Sequence, residues 1–135
     1  MNDSSGFDVE RIRDYWLVEA TESLQVADHL VEKRDYSYAL FFGHLAVEKM
    51  LKALYVVRRR QHPPYKHNLL RLAELTEVEL DNARTKILAT ITTFNIEARY
   101  PGEKRAFRAK CTPEYAHGQM RVVKETFAWL HSLLI

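Results

Sequence analysis

Apolar residues return every three or four positions along almost the whole chain, and nowhere do they alternate long enough to make a strand. The pattern therefore reads as helical throughout. A first helix is predicted from Asp8, a good N-cap with Glu10 in the first turn, to about Lys33, with the stripe Ile12, Trp16, Ala20, Leu24, Ala27 and Val31. Asp35 is positioned to cap a second helix, whose stripe is Ala39, Phe42, Ala46, Met50 or Lys49, Ala53 and Val57. It must stop before Pro63 and Pro64, because the residue preceding a proline is pushed out of helical geometry. Only one or two residues separate these helices, so they are expected to fold as an antiparallel hairpin.

Beyond QHPPYK, a short helix is predicted from about His67 to Leu75, offering Leu69, Leu70, Leu72 and Ala73. Thr76 with Glu79 three residues later has the form of a capping box, opening a helix with the stripe Leu80, Ala83, Ile87, Ile91, Phe94 and Ala98. Pro101 and Gly102 would close it, leaving 99–111 as an irregular stretch. The last helix has Thr112 as N-cap, Pro113 at the first helical position and Glu114 near the positive end of the dipole, with Ala116, Met120, Val123, Phe127, Leu130 and Leu134 as its buried face. The expected fold is all-α: an antiparallel up-and-down helical bundle of four long helices plus one short helix, forming a single domain over residues 1–135. Ala39, Ala46 and Ala53 fall seven apart and give the second helix a small-residue seam, which makes it the expected centre of the bundle.

Composition narrows the class. With 135 residues, 47% apolar and 28% charged, the chain fits one folded domain and not a disordered tail. Its first residues, MNDSSGFDVERIRD, lack the basic and apolar regions of a targeting peptide, and no apolar run approaches the roughly 20 residues needed to span a bilayer. A cytoplasmic protein without membrane partners is expected. Cys111 stands alone, so no intrachain disulfide can form. The net charge of +2 is too small to argue for nucleic acid, but its distribution is uneven. Arg99, Lys104, Arg105, Arg108 and Lys110 crowd RYPGEKRAFRAK against Glu103 alone, and Arg58, Arg59 and Arg60 form a second cluster. Such runs can contact phosphates, or they can be solvated helix ends.

Little conventional chemistry can be assembled. The four glycines build neither a P-loop nor a dinucleotide fingerprint. His44 and Glu48 could share a helix face, but no Glu-x-x-His occurs and the other histidines are scattered, so neither a metal nor a cofactor is expected. No Ser or Cys has a base at a spacing that would select it as a nucleophile.

Taken together, YALFFGHLAVEKMLKALYVVRRRQHPPYKHNLLRLAEL resembles the HEPN domain family. The matching residues are Ala46, Glu48, Leu51, Lys52 and Ala53, then Pro63 or Pro64, then His67 and Leu72; later, I-E-A-R-Y-P at 96–101 is similar to the Arg-Tyr-Pro signature before the family's last helix. The resemblance spans residues 8 to 133. It implies a five-helix up-and-down bundle that commonly forms homodimers. Many such proteins are metal-independent ribonucleases of toxin–antitoxin or defence systems, often beside a minimal nucleotidyltransferase; others bind nucleotides or serve as non-catalytic scaffolds. The nuclease motif implied by the resemblance is an Arg followed by a His, with four to six residues between them. If Arg99 is that Arg, the His should stand at 104, 105 or 106, where this chain has Lys104, Arg105 and Ala106. Without it, no group there has an ordinary pKa suited to proton transfer near neutrality. Arg60 and His67 have a similar spacing but precede the wrong helix, and the match reads as coincidence.

The expected site is a basic groove around Asn95, Arg99, Lys104 and Arg105, with Tyr100 and Phe107 as stacking surfaces and Arg99 as the candidate catalytic residue. Asn95 lies one turn before Arg99 and would share its helix face. Glu48 and Lys52, four apart in the favourable order, are either an exposed pair worth about 0.2–0.5 kcal/mol or a pair facing the last helices that positions Arg99 or a bound phosphate. The function expected is binding of RNA or a nucleotide as part of a toxin–antitoxin system. The alternatives are an interaction module docking a nucleotidyltransferase and a metal-independent endoribonuclease with a degenerate motif.

Overall fold

A computed structural model describes residues 6–134. Asp8 caps α1 (Val9–Glu32) as its spacing predicts, its carboxylate accepting the Arg11 N–H at 3.1 Å. The chain reverses within Lys33–Asp35, where Arg34 adopts a left-handed φ of 63° and the Asp35 N–H reaches back to the Leu30 carbonyl at 2.9 Å. α2 (Tyr36–Arg59) then returns along α1: Lys49 meets Ser23 and Glu19, Lys52 lies over Trp16, and His62 just beyond α2 touches Phe7. Those pairings make the two helices an antiparallel hairpin. Asp35 occupies the N-cap position, but its side chain makes no capping bond. Arg60 closes α2 in a left-handed conformation, its N–H bonded to the Val56 carbonyl, before the two prolines.

α2 is the centre of the fold. Ala39, Ala46 and Ala53 are fully buried, and so are Leu40, Val47, Met50, Leu51 and Leu54, so burial extends well beyond one stripe. Each of those large side chains contributes about 1.5–3 kcal/mol by leaving water. α2 packs on α1, on α3 (Leu69–Leu75), on α4 (Asn82–Thr92), on α5 (Pro101–Lys110) and on α6 (Pro113–Ser132). Gly43 permits a close approach to α6, since a Cβ there would lie 3.3 Å from both Val123 methyls. Tyr36 stands beside His117 and Gly43 against Met120 and Val123, so α2 and α6 run in the same sense where they touch.

The second half departs from expectation. Thr76 does not open a helix; it ends α3, with Glu77 at a φ of 61° and the Val78 N–H bonded back to the Ala73 carbonyl. Arg58 and Arg59 donate to the carbonyls of Leu75, Thr76 and Glu77 at that same helix end, which gives two residues of the second basic cluster a capping role. α4 starts late, at Asn82, with Asp81 as the cap, which moves its register: Leu88 is buried where Ala83 is exposed. It also ends early, at Thr92, and only a 3-10 turn, Ile96–Ala98, follows. The stretch read as irregular is instead α5, started by Pro101 at its first position and by Glu103 accepting the Tyr100 N–H at 3.1 Å. Thr112 and Pro113 begin α6 as expected, the Thr112 hydroxyl accepting the Tyr115 N–H.

Among the described residues there are thus six α-helices and no strand: three long, of 24, 24 and 20 residues, and three short, of 7, 11 and 10. The pattern of four long helices and one short is not what forms. Among the described residues, no helix is long and apolar enough to cross a membrane.

Candidate functional site

His44, Glu48 and Lys52 follow one another at spacings of four and so line one face of α2. All three are buried, at 0%, 3% and 5% exposure. The Lys52 ammonium donates to Glu48 Oε2 at 3.0 Å and stands 5.3 Å from the centre of the Trp16 ring. Glu48 Oε1 accepts from Nδ1 of His67 at 2.9 Å. The carboxylate is therefore held on one oxygen by an ammonium and on the other by an imidazole. A buried charge needs such satisfaction, because an unpaired one would cost several kcal/mol.

His67 lies in the connection between α2 and α3, just before Asn68, whose side chain caps α3 by accepting the Arg71 N–H. Two residues of α2 fix it. Glu48 holds the ring, and Nε2–H of His44 donates to the His67 carbonyl at 2.9 Å. That bond requires His44 to keep its proton on Nε2. Its Nδ1 is buried without a partner among the described residues, and burial lowers the pKa of the ring below 6.5, outweighing the His67 carbonyl and Glu48, which raise it. His44 is thus a neutral, structural imidazole. His67 is different: its side chain is 43% exposed, Tyr65 packs edge-on against it, and with Nδ1 committed to Glu48 its Nε2 has no partner among the described residues.

The exposed edge of His67 borders two adjoining clefts. One, of about 300 Å³, is lined by Phe41, Leu45, Tyr65, His67, Asn95 and Glu97. The other, of about 390 Å³, is lined by His67, Asn68, Thr93, Asn95, Arg99 and Glu103. Both depend on the early end of α4, since the turn through Asn95 to Arg99 carries the chain across the α3 start, where Thr92 Oγ1 accepts the Leu69 N–H. Within the second cleft the Arg99 guanidinium is anchored: Nε and Nη2 both donate to the Thr93 carbonyl, capping the end of α4, and the group lies 5.0 Å over the Phe107 ring. Nη1 has no partner among the described residues.

The sequence-predicted residues are divided by this geometry. Asn95 and Arg99 do line one cleft, although they do not share a helix face, because α4 has ended before either. Glu48 and Lys52 are not a solvated pair; they lie buried beneath His67, which lines the cleft. Tyr100 is 78% exposed at the start of α5, while Lys104 and Arg105 are exposed on α5 and line neither cleft. His67 is the residue that the spacing undervalued, since no contact joins it to Arg60 and it serves the cleft without that arginine. A signal for it did exist: a Glu in the middle of a helix apolar on most sides requires a partner from elsewhere in the chain. Among the described residues no group of three or more His, Cys, Asp or Glu could hold a metal ion.

Comparison with known proteins adds a family and a fold. No curated protein matches the chain. Among solved structures, TT1696 from Thermus thermophilus superposes with a TM-score of 0.73 over 90% of this chain and 97% of its own, at 23% identity, which supports the shared fold alone. The HEPN domain profile matches residues 14–133, a span that takes in the α2 ladder, His67 and the Arg-Tyr-Pro segment together. The chain therefore belongs to the HEPN domain family.

Proposed function

We propose that the protein binds RNA or a nucleotide phosphate in the cleft bordered by His67, Asn95 and Arg99, as a component of a toxin–antitoxin type system. The observation that carries this reading is the convergence of an imidazole edge, an amide and a guanidinium on one opening. Arg99 is fixed by Thr93 and Phe107 yet keeps Nη1 for a ligand, so little conformational freedom is lost when a phosphate binds. Glu103, the carboxylate on the rim, already accepts the Tyr100 N–H. Beside the cleft, α5 presents Lys104, Arg105, Arg108 and Lys110, all exposed, as a basic surface along which a nucleic-acid backbone can run. Titrating labelled mixed-sequence RNA and mononucleotides at low salt tests this. Affinity that Arg99→Ala abolishes supports it, and absence of affinity for both ligands ends it.

A second reading, an interaction module that dimerises or docks a nucleotidyltransferase, draws on Tyr15 and Val18. These α1 residues are 57% and 55% exposed and offer apolar surface to a second chain. Sedimentation of the wild type against a Tyr15→Glu, Val18→Glu variant separates the two: a dimer lost in the variant favours the module, and a monomer in both removes support for self-association.

A further inference from the structure

Where the chain reverses from α1 into α2, a cleft of about 300 Å³ is lined by Arg34, Asp35, Ser37, Tyr38, Arg108 and Cys111. It shares no lining residue with the two clefts at His67. One wall is the first turn of α2. The Ala39 N–H takes the Asp35 carbonyl at 2.9 Å, and the N–H groups of Tyr36, Ser37 and Tyr38 have no acceptor among the described residues. The Asp35 carboxylate, at the position that would ordinarily cap them, makes no such bond. A 24-residue helix thus begins on three free donors and the positive end of its dipole. Ser37 is an independent sign. It is 8% exposed, lines the cleft, and its hydroxyl makes no hydrogen bond among the described residues, whereas the hydroxyls of Thr21, Thr92 and Thr126 each return to a helix carbonyl one turn back. Arg34 and Arg108 are exposed at the same opening with no acceptor or carboxylate partner among the described residues, unlike Arg58, Arg59 and Arg99, which hold carbonyls. The features that would oppose an anion are few. At the end of α5 the carbonyls of Phe107 and Arg108 accept the Cys111 N–H, and that of Lys110 accepts the Thr112 N–H. Burial pushes the Cys111 thiol up to about 11, against the pull of Lys110 and Arg99, so it adds no charge. Asp35 remains, one exposed carboxylate against two guanidiniums.

We infer that this cleft is an anion site for a phosphate dianion, free or carried as a monoester, held by the N–H groups at the start of α2, the Ser37 hydroxyl and the guanidiniums of Arg34 and Arg108. The site is separate from the His67 cleft and does not rest on the binding proposed there. Its donors select a dianion. A monoester presents three terminal oxygens to the three N–H groups, the hydroxyl and the two arginines, whereas a phosphodiester presents two and carries half the charge. The backbone donors and Ser37 are already fixed in a helix end, so binding has only the two arginine side chains to order. Tyr38, 50% exposed, lines the same opening and offers apolar surface to the organic part of an ester.

The test titrates the isotope-labelled full-length chain with inorganic phosphate, phenyl phosphate and, as the diester, dimethyl phosphate, at about pH 8, where the first two are dianions. Amide resonances of Tyr36, Ser37 and Tyr38 read this site, and those of Asn95 and Arg99 read the other cleft. Saturable shifts at Tyr36, Ser37 and Tyr38 are expected with both dianions, and binding at least about tenfold weaker with the diester. Equal affinity for the two dianions identifies the free ion as the ligand, and tighter binding of phenyl phosphate identifies an ester whose ring meets Tyr38. Arg34→Ala and Arg108→Ala, both at exposed positions, should each weaken binding about tenfold, and Ser37→Ala should do the same by removing a charge-assisted hydrogen bond. Asp35→Asn, which keeps a capping side chain and removes the opposing charge, should tighten it. Silence at Tyr36, Ser37 and Tyr38, shifts confined to Asn95 and Arg99, a diester that binds as well as the dianions, or wild-type affinity in the doubly substituted Arg34→Ala, Arg108→Ala chain each overturns the inference. None of these outcomes bears on RNA binding at His67, which is read with RNA itself.

Discussion

At His44 the direction of a pH dependence follows from burial. The unfolded chain takes up a proton at this imidazole near 6.5, whereas the folded ring, desolvated and donating through Nε2, resists it. Its contribution to stability is therefore fully present above about 6.5 and is lost as pH falls from there to the lowered folded value, by up to about 1.4 kcal/mol per pH unit. Urea denaturation between pH 7.5 and 5 should show that slope, and His44→Gln, which can still donate to the His67 carbonyl, should flatten it. Four residues on, Glu48→Ala leaves the Lys52 ammonium buried without its carboxylate and is expected to cost about 3–5 kcal/mol, read as a lowered denaturation midpoint. Replacing Glu48 and Lys52 together by Leu and Met should cost less than that single change, because no unpaired charge remains. At this scale the sequence showed both charges and their order but not their burial, which depends on Trp16 arriving from α1 and on Tyr65 and His67 from the α2–α3 connection.

Between helices, the glycines make the clearest contrast. Gly43 sits where α2 meets α6, and a larger side chain must displace Val123 and Met120; Gly43→Leu should destabilise by about 1–3 kcal/mol and loosen the α2–α6 contact. Gly118, inside α6, has nothing within 4 Å of the position a Cβ would take. Gly118→Ala should therefore stabilise by about 0.5–1 kcal/mol, through helix propensity alone, measurable as a raised melting temperature. The helix starts were legible where one local signal had no rival: Asp8 for α1, and Thr112 with Pro113 for α6. At Thr76 a local signal competed with a distant one. A capping-box spacing favoured a start, but Arg58 and Arg59 reach in from α2 to the carbonyls of that stretch and stabilise an end, which no reading of 76–79 alone could weigh. α5 was missed for a related reason. Its apolar content reduces to Phe107 as the buried side chain, so hydrophobic periodicity was silent, while Pro101 at N1 and Glu103 on the Tyr100 N–H start the helix locally.

For the molecule as a whole, the basic face of α5 and the cleft beside it should separate electrostatic from specific binding. Lys104→Glu with Arg105→Glu should weaken RNA binding at every sequence and reduce the slope of log affinity against log salt, since fewer counterions are released; filter binding from about 50 to 200 mM salt measures it. A salt slope unchanged by the double substitution would place the nucleic acid elsewhere. α2 holds the arrangement together because it touches both the hairpin partner α1 and the elements that border the cleft. A change in its packing is accordingly felt at His67.

The sequence by itself determined the all-α class, the α1–α2 hairpin and the central place of α2, because apolar spacing, N-cap residues and a small-residue seam act over one or two helical turns; the family followed from the resemblance carried by the Ala46–Ala53 motif, His67 and the Arg-Tyr-Pro segment. It also singled out Glu48, Lys52, Asn95 and Arg99. Only the tertiary structure decided what those residues do together. His67 is 19 positions from Glu48 and 32 from Arg99, and nothing local couples them. Their meeting follows from two chain reversals, one after the prolines that end α2 and one where α4 stops at Thr92, each fixed by hydrogen bonds from another element: His44 to the His67 carbonyl, and Arg99 to the Thr93 carbonyl.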